Sequence, residues 1–183
     1  MDRFVEVEES DGLVSVGSKA PDFELQAHNL TKWRLSDFRG KVVALLFYPG
    51  NETLVCTKQL CSLRDRWTEY KETKAEIVGI SPGSVEEHVS FADHHRLPLT
   101  LLSDPNRNVT RDYGFHWLLP ISWVRSIVVI DSNGIVRSRT SMFRGFRPSD
   151  SSVLSSIYAA RTELLVKKYD EIAKAGRKDG EDE

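Results

Sequence analysis

The chain has 183 residues, of which 40% are hydrophobic and 28% are charged. These values are typical of one ordinary globular domain, which is large enough to bury a core without the help of metals or several disulfides. The formal net charge of −2 provides no broad positive surface for DNA, RNA or an anionic membrane, so nucleic acid is not an expected partner.

The N-terminal residues predict neither export nor insertion into a membrane. Residues 1–9 are acidic and lack the basic segment and apolar core of a secretory signal. No stretch of the chain approaches the run of about 18 apolar residues that a spanning helix needs. We therefore expect a cytoplasmic protein with no membrane partner.

A small hairpin and a central strand are predicted in the first quarter of the chain. Strand-like runs at 23–25 and 33–35 flank a polar turn. The apolar run at 42–48 has the length of a strand buried on both faces and ends at Pro49-Gly50. One amphipathic helix is predicted next, from about residue 55 to residue 70, because its apolar residues fall three and four apart: Leu60, Leu63, Trp67 and Tyr70.

A second strand and helix follow. The run at 76–81 predicts a strand, and Ser84 with Glu87 forms a capping box that opens a helix. The predicted inner face of this helix consists of Val85, Val89 and Ala92. A shorter strand at 99–102 and a short helix at 106–113 are expected after it.

The last third of the chain predicts an antiparallel hairpin and a long helix. Strand-like runs at 126–131 and 135–139 flank Asn133-Gly134, the strongest short-range signal for a hairpin. The final helix begins near Asp150 with a predicted buried stripe of Val153, Ile157, Ala160 and Leu164.

These elements together predict an α/β domain with a central mixed β-sheet flanked by helices on both faces and an N-terminal hairpin extension. The pattern suits a thioredoxin-like fold. We divide the chain into an N-terminal extension at 1–14, one domain at 15–174 and a disordered charged tail at 175–183.

The chain has two cysteines, Cys56 and Cys61. In a reducing compartment such a pair is more often catalytic, redox-active or metal-binding than a structural staple. Cys56 is predicted in the first turn of a helix, near unpaired backbone N–H groups and the positive end of the helix dipole. Both features favour the thiolate, which is the nucleophilic form. Cys61 lies deeper in the helix, so Cys56 is the expected attacking sulfur.

The spacing of the two cysteines also predicts a conformational change. Residues five apart in an α-helix are separated by about 7.5 Å along the axis and by about 140° around it. A disulfide requires Cα atoms within about 7 Å and facing Cβ atoms. A bond between Cys56 and Cys61 therefore requires the start of the helix to unwind.

The residues around Cys56 resemble the Pro-x-x-x-Thr-x-x-Cys signature of the peroxiredoxins, with Pro49, Thr53 and Cys56 at its defined positions. The second cysteine, together with Gln59 and the run at 63–65, resembles the bacterioferritin-comigratory-protein branch, also called the Q type. The similarity covers about residues 15–165. Val55 departs from this branch, in which a glycine commonly precedes the reactive cysteine.

The resemblance implies a thioredoxin-dependent peroxidase of the atypical two-cysteine kind. Cys56 is then the peroxidatic residue, which attacks hydrogen peroxide or an organic hydroperoxide and becomes a sulfenic acid. Cys61 is the resolving residue, which forms the intramolecular disulfide, and thioredoxin or a similar dithiol protein reduces it. The resemblance also implies that Arg125 stabilises the thiolate and orients the peroxide, that the Thr53 hydroxyl lies in the same site, and that Pro49 shapes the pocket. It implies no cofactor, and the branch implies a monomer.

The residues themselves leave other interpretations open. Thr53 also suits a helix cap, Arg125 a surface charge and Cys61 a packing residue. The five histidines show no metal-ligand spacing, so no metal site is predicted. The apolar segment at 117–123 suits a wall of the active site or a contact between two protomers, so a dimer stays open.

Two other functions remain open at this point. One is a thiol–disulfide oxidoreductase acting on proteins, although the Cys-x-x-Cys pair that usually carries that chemistry is absent. The other is a peroxide sensor that reacts once and recruits a partner through its unwound helix.

Overall fold

The computed structural model describes residues 14–51, 53–115, 124–143 and 148–178. Its seven strands form one sheet in the order β2-β1-β5-β4-β3-β6-β7. The strands are β1 (Glu24–Ala27), β2 (Lys32–Arg34), β3 (Val43–Phe47), β4 (Glu76–Ser81), β5 (Thr100–Ser103), β6 (Val124–Ile130) and β7 (Val136–Phe143). The helices are α1 (Leu54–Asp65), α2 (Trp67–Glu72), α3 (Val85–His95), α4 (Asn108–Asp112) and α5 (Asp150–Lys178), with a 3₁₀ turn at Leu35–Phe38.

The sheet is mixed, as the sequence predicts. Strand β3 pairs in parallel with β4 and antiparallel with β6, and β4 pairs in parallel with β5. The N-terminal hairpin of β1 and β2 joins the same sheet, because β1 also pairs antiparallel with β5. The predicted hairpin of β6 and β7 is confirmed, and its turn contains Gly134 with a φ of 82°.

Strand β3 contributes side chains to both faces of the sheet, and each face carries its own core. Ala44 and Leu46 belong to a cluster formed with buried residues of α1, α2, α3 and α5. Val43, Leu45 and Phe47 belong to a second cluster, which includes residues of α4 and the N-terminal hairpin. The period of two along a strand produces this division. The predicted strand buried on both faces is therefore confirmed.

The helix predicted at 55–70 is two helices. The backbone leaves helical geometry at Arg66, where φ is −105° and ψ is 21°, and α2 begins at Trp67. Leu60, Leu63 and Tyr70 are nevertheless buried in one cluster. The spacing of apolar residues could not reveal the break, because the same side chains reach the core on either side of it.

The predicted inner face of α3 was partly wrong. Its buried residues are His88, Phe91 and Ala92, whereas Val85 and Val89 are half-buried. The imidazole of His88 can be buried because both of its ring nitrogens have hydrogen-bond partners. The predicted capping box of Ser84 and Glu87 is present.

Helix α5 begins at Asp150 as predicted but extends to Lys178, past the boundary set at residue 174. Nine of the fifteen residues at 164–178 are lysine, leucine, alanine or glutamate, which are good helix formers, so the charge of this segment does not end the helix. Val153, Ile157 and Ala160 of the predicted stripe are buried, and the side chain of Leu164 lies outside the described residues. The division of the chain into an extension, a domain and a tail stays a prediction.

Within the residues that the structure describes, no helix is both long enough and apolar enough to cross a membrane.

Candidate active site

The turn between β3 and α1 places Cys56 at the start of a helix. Helix α1 begins at Leu54, and Thr53 is its N-cap residue. The Thr53 hydroxyl oxygen accepts a hydrogen bond from the backbone N–H of Cys56 at 3.3 Å. This bond satisfies one of the backbone donors that a helix start leaves unpaired. The Cys56 side chain therefore lies at the positive end of the helix and is fully buried.

Strand β6 brings Arg125 to the same point. In the register of β3 with β6, Ser126 lies opposite Phe47, the last residue of β3, so Arg125 lies beside the turn that follows β3. Its Nη2 donates a hydrogen bond to Cys56 Sγ at 3.1 Å, and the residue is only 1% exposed. A guanidinium that donates to sulfur in a buried site stabilises the thiolate over the thiol.

Gln59 fixes the orientation of this arginine. It lies one turn after Cys56 on α1, and its Oε1 accepts a hydrogen bond from Arg125 Nη1. Among the described residues, Arg125 Nε is buried and has no hydrogen-bond partner. The guanidinium is therefore held by one terminal nitrogen, contacts the sulfur with the other and keeps a buried N–H available.

The position of Gln59 was visible in the sequence, but its role was not. The sequence marks it only as a feature of the Q-type resemblance. Its spacing of three from Cys56 places the two side chains on one face of α1, which was the available signal. The identity of its partner depends on the pairing of β3 with β6, and the spacing of the residues does not contain that information.

Residues 16–139 match the AhpC/TSA family. The chain belongs to this family. It is 42% identical over 130 residues to a chloroplastic peroxiredoxin Q of Triticum aestivum, which covers 69% of this chain and 58% of that protein. It is 41% identical over 128 residues to a chloroplastic peroxiredoxin Q of Sedum lineare, which covers 68% of this chain and 67% of that protein. The chain thus spans somewhat more than half the length of the wheat protein.

Solved peroxiredoxin structures share the fold. The peroxidoxin BcpB of Mycobacterium tuberculosis matches with a TM-score of 0.67 and 32% identity, covering 80% of this chain and 96% of that one. A reduced 2-Cys peroxiredoxin of Plasmodium vivax matches with a TM-score of 0.74 and 28% identity, covering 82% and 83% respectively. The Q-type peroxiredoxin resemblance and the thioredoxin-like fold are therefore confirmed.

The second cysteine of the chain lies on the same helix as the first. Cys56 and Cys61 are both free thiols within α1, and Cys61 is half-buried. They lie five positions apart in regular helix, and such a spacing keeps the two sulfurs apart. The structure thus shows the reduced arrangement from which a bond between Cys56 and Cys61 would require unwinding.

Pro49 lies two residues after the end of β3 and four residues before Thr53, the N-cap of α1. It is half-buried and lines a small pocket together with Phe47, Tyr48 and Ser126. Ser126 is the neighbour of Arg125 in β6, which relates this pocket to the site. The predicted role of Pro49 in shaping the space around Cys56 stays a prediction.

Two other site predictions concern the apolar segment at 117–123 and a metal site. The apolar segment at 117–123 lies outside the described residues, so its role as a wall or a contact stays untested. In the described ranges, no three residues of the types His, Cys, Asp and Glu lie together in a way that could hold a metal ion.

Proposed function

We propose that this chain is a thiol peroxidase that reduces hydrogen peroxide and organic hydroperoxides through Cys56. The observation that carries the proposal is the buried contact of 3.1 Å between Arg125 Nη2 and Cys56 Sγ. A buried cation aimed at a cysteine has little structural use, since burying an arginine costs free energy unless a partner compensates it. A thiolate is such a partner, and it is also the nucleophile that attacks a peroxide.

The first chemical step joins sulfur to oxygen. The Cys56 thiolate attacks one peroxide oxygen, the O–O bond breaks, and the leaving oxygen takes a proton to become water or an alcohol. Cys56 is left as a sulfenic acid. Arg125 is suited to orient the peroxide because its buried Nε–H has no partner among the described residues. The Thr53 hydroxyl, which lies at the same helix start, is suited to be a second contact.

The second step forms the disulfide. The sulfur of Cys61 attacks the sulfenic sulfur of Cys56, the S–S bond forms, and the hydroxyl leaves as water. The helix start must unwind for the two sulfurs to meet. Thioredoxin or a similar dithiol protein then reduces the disulfide by thiol exchange. We further propose a cytoplasmic monomer, as the sequence predicts.

The test is the mass of the intact protein after anaerobic treatment of the reduced chain with one equivalent of hydrogen peroxide. The wild type is expected to lose two hydrogen atoms, and Cys61→Ser to gain one oxygen atom, because its sulfenic acid has no partner. Addition of thioredoxin and its reductase should then support continuous peroxide consumption by the wild type.

Two outcomes would contradict the proposal in different ways. A wild-type protein that stays reduced, yet transfers disulfides to other proteins, would indicate a thiol–disulfide oxidoreductase. A wild-type protein that forms the disulfide once, and fails to turn over with any dithiol protein, would indicate a peroxide sensor.

The two roles of Thr53 can be separated by substitution. Thr53→Ala is expected to lower the free energy of unfolding by about 1 kcal/mol, because alanine lacks the capping oxygen. Thr53→Asn should keep that stability, since asparagine caps helices at least as well, but it removes the hydroxyl. We expect Thr53→Asn to react with hydrogen peroxide about tenfold more slowly, as the loss of one hydrogen bond to the peroxide would produce. Urea unfolding measures the stability, and stopped-flow kinetics measures the reaction with peroxide. If Thr53→Asn reacted with peroxide as fast as the wild type, Thr53 would act only as a helix cap.

A further inference from the structure

A group of buried and half-buried polar side chains connects the turn before Cys56 to β4 and α3. We call it the loop latch, and its members are Tyr48, Asn51, Ser81 and His88. The Tyr48 hydroxyl donates to Asn51 Oδ1 at 3.0 Å, which ties the end of β3 to the turn. Ser81 Oγ lies 3.0 Å from His88 Nε2, which ties the end of β4 to α3.

The two halves of the latch meet beside Gly83, where Asn51 and His88 both pack. Burial raises the pKa of the Tyr48 hydroxyl. The hydroxyl is therefore a neutral phenol that donates its one hydrogen to Asn51, while Ser81 Oγ bonds to His88. Tyr48 is 4% exposed and Ser81 is 1% exposed, so water does not compete for these bonds.

His88 anchors the far end. It is fully buried, and its Nδ1 lies 2.6 Å from the carbonyl oxygen of Ser84. A carbonyl oxygen only accepts, so Nδ1 carries the hydrogen and Nε2 is the nitrogen that faces Ser81. Burial also lowers the pKa of His88, which keeps the imidazole neutral. The anchor is thus a neutral ring held at both nitrogens.

The turn also packs tightly against the start of α3. A Cβ atom on Gly83 would lie 2.8 Å from His88 Cε1 and 2.9 Å from Asn51 Nδ2. Real Cβ contacts are not that short, so Asn51 approaches His88 at a point where only glycine leaves room. The latch therefore combines hydrogen bonds with close packing.

The latch lies where the reaction requires movement. Asn51 lies two residues before Thr53, the N-cap of α1, and the first turn of α1 must unwind before Cys56 can reach Cys61. Tyr48 and Cys56 belong to one buried cluster. A latch that holds this turn opposes unwinding and so prolongs the life of the Cys56 sulfenic acid in the folded site.

We propose that the loop latch positions the turn before α1 and sets how the Cys56 sulfenic acid divides between disulfide formation and further oxidation. This inference rests on the proposed function. In the first route Cys61 attacks the sulfenic sulfur, the S–S bond forms and water leaves. In the second route the sulfenic sulfur attacks a second hydroperoxide, which is the oxidant. Its O–O bond breaks, and a sulfinic acid and water or an alcohol form.

Tyr48→Phe tests the inference, because it removes the hydroxyl that holds Asn51 and keeps the ring. We expect disulfide formation to become about fivefold faster, the factor that the loss of one ordinary hydrogen bond supports. The sulfinic fraction of Cys56 at a fixed excess of hydrogen peroxide should fall by a similar factor. Rapid acid quenching and alkylation, followed by intact mass, measure both quantities. The same experiment also gives the rate at which Cys56 first reacts with peroxide, and both quantities are compared with that rate.

Tyr113→Phe is the matched control. Tyr113 is also a fully buried tyrosine whose hydroxyl makes one hydrogen bond, to the carbonyl oxygen of Pro21 at 2.9 Å, but it lies in the cluster on the other face of the sheet. A general loss of stability would affect both variants alike, whereas the latch predicts an effect for Tyr48→Phe alone. Ser81→Ala breaks the latch at a second point and should act in the same direction.

The outcomes separate this inference from the proposed function. Suppose that the wild type forms the disulfide with peroxide, but Tyr48→Phe and Ser81→Ala give the same proportions of disulfide and sulfinic acid as Tyr113→Phe. The latch inference is then wrong and the peroxidase proposal stands. If the wild type forms no sulfenic acid or disulfide, both are wrong.

Discussion

Cys56→Ser is expected to abolish the reaction with hydrogen peroxide, with a fall in the second-order rate constant of more than about a thousandfold. Loss of a catalytic nucleophile has effects of at least this size. The serine hydroxyl does not ionise near neutral pH, so Arg125 would face an uncharged oxygen that is a poor nucleophile. Competition for peroxide against a reference peroxidase, or direct measurement of peroxide loss, provides the rate constant.

Cys61→Ser is the matched control for this prediction, because it changes the other cysteine of the same helix in the same way. It should react with the first equivalent of peroxide within a few-fold of the wild-type rate and then stop, since the sulfenic acid has no resolving partner. If Cys56→Ser reacted rapidly and Cys61→Ser did not, the attacking and resolving roles would be reversed. If both reacted rapidly, the attacking group would be another residue.

The secondary structure around the site could be predicted because its signals are local. The apolar run that forms β3 is bounded by Pro49-Gly50, and the turn between β6 and β7 contains Gly134 in the left-handed region. The N-cap Thr53 and Cys56 lie within four residues of each other, so one motif contains both. These features depend on neighbours in the chain, which is why the sequence alone predicts them well.

The contacts made by Arg125 depend instead on distant parts of the chain. Arg125 and Cys56 are 69 positions apart and meet because β6 pairs with β3 in one particular register. A family resemblance predicted the arginine, but neither periodicity nor spacing indicated that Gln59 would hold its other nitrogen. Register is set by how whole strands pack, and a single sequence shows it poorly.

The burial of His88 shows a second limit of sequence reasoning. Hydrophobic patterning assigned the inner face of α3 to its valines, because a histidine is usually treated as polar. The structure buries His88 completely, with Ser81 and the Ser84 carbonyl as its partners. Those partners come from the end of β4 and the cap of α3, so the histidine could be assigned to the core only once both were in place.

Arg125→Met is expected to lower the rate constant with hydrogen peroxide by about a hundredfold, the cost of removing one preorganised donor from an active site. Methionine fills much of the same volume without the charge, so the sulfur of Cys56 loses its cationic partner and Gln59 loses its donor. Arg125→Lys is the matched variant, because it keeps the charge but not the planar fork that reaches both residues at once.

The two substitutions distinguish charge from geometry at this site. If the charge alone matters, Arg125→Lys should react nearly as fast as the wild type. We expect it to stay at least about tenfold slower, since one ammonium group cannot hold Gln59, contact Cys56 and keep a free N–H for the peroxide together. Thermal unfolding of both variants controls for stability. Wild-type rates for Arg125→Met would show that the helix start activates Cys56 without help from β6, and the pairing of β3 with β6 would then have no part in the reaction.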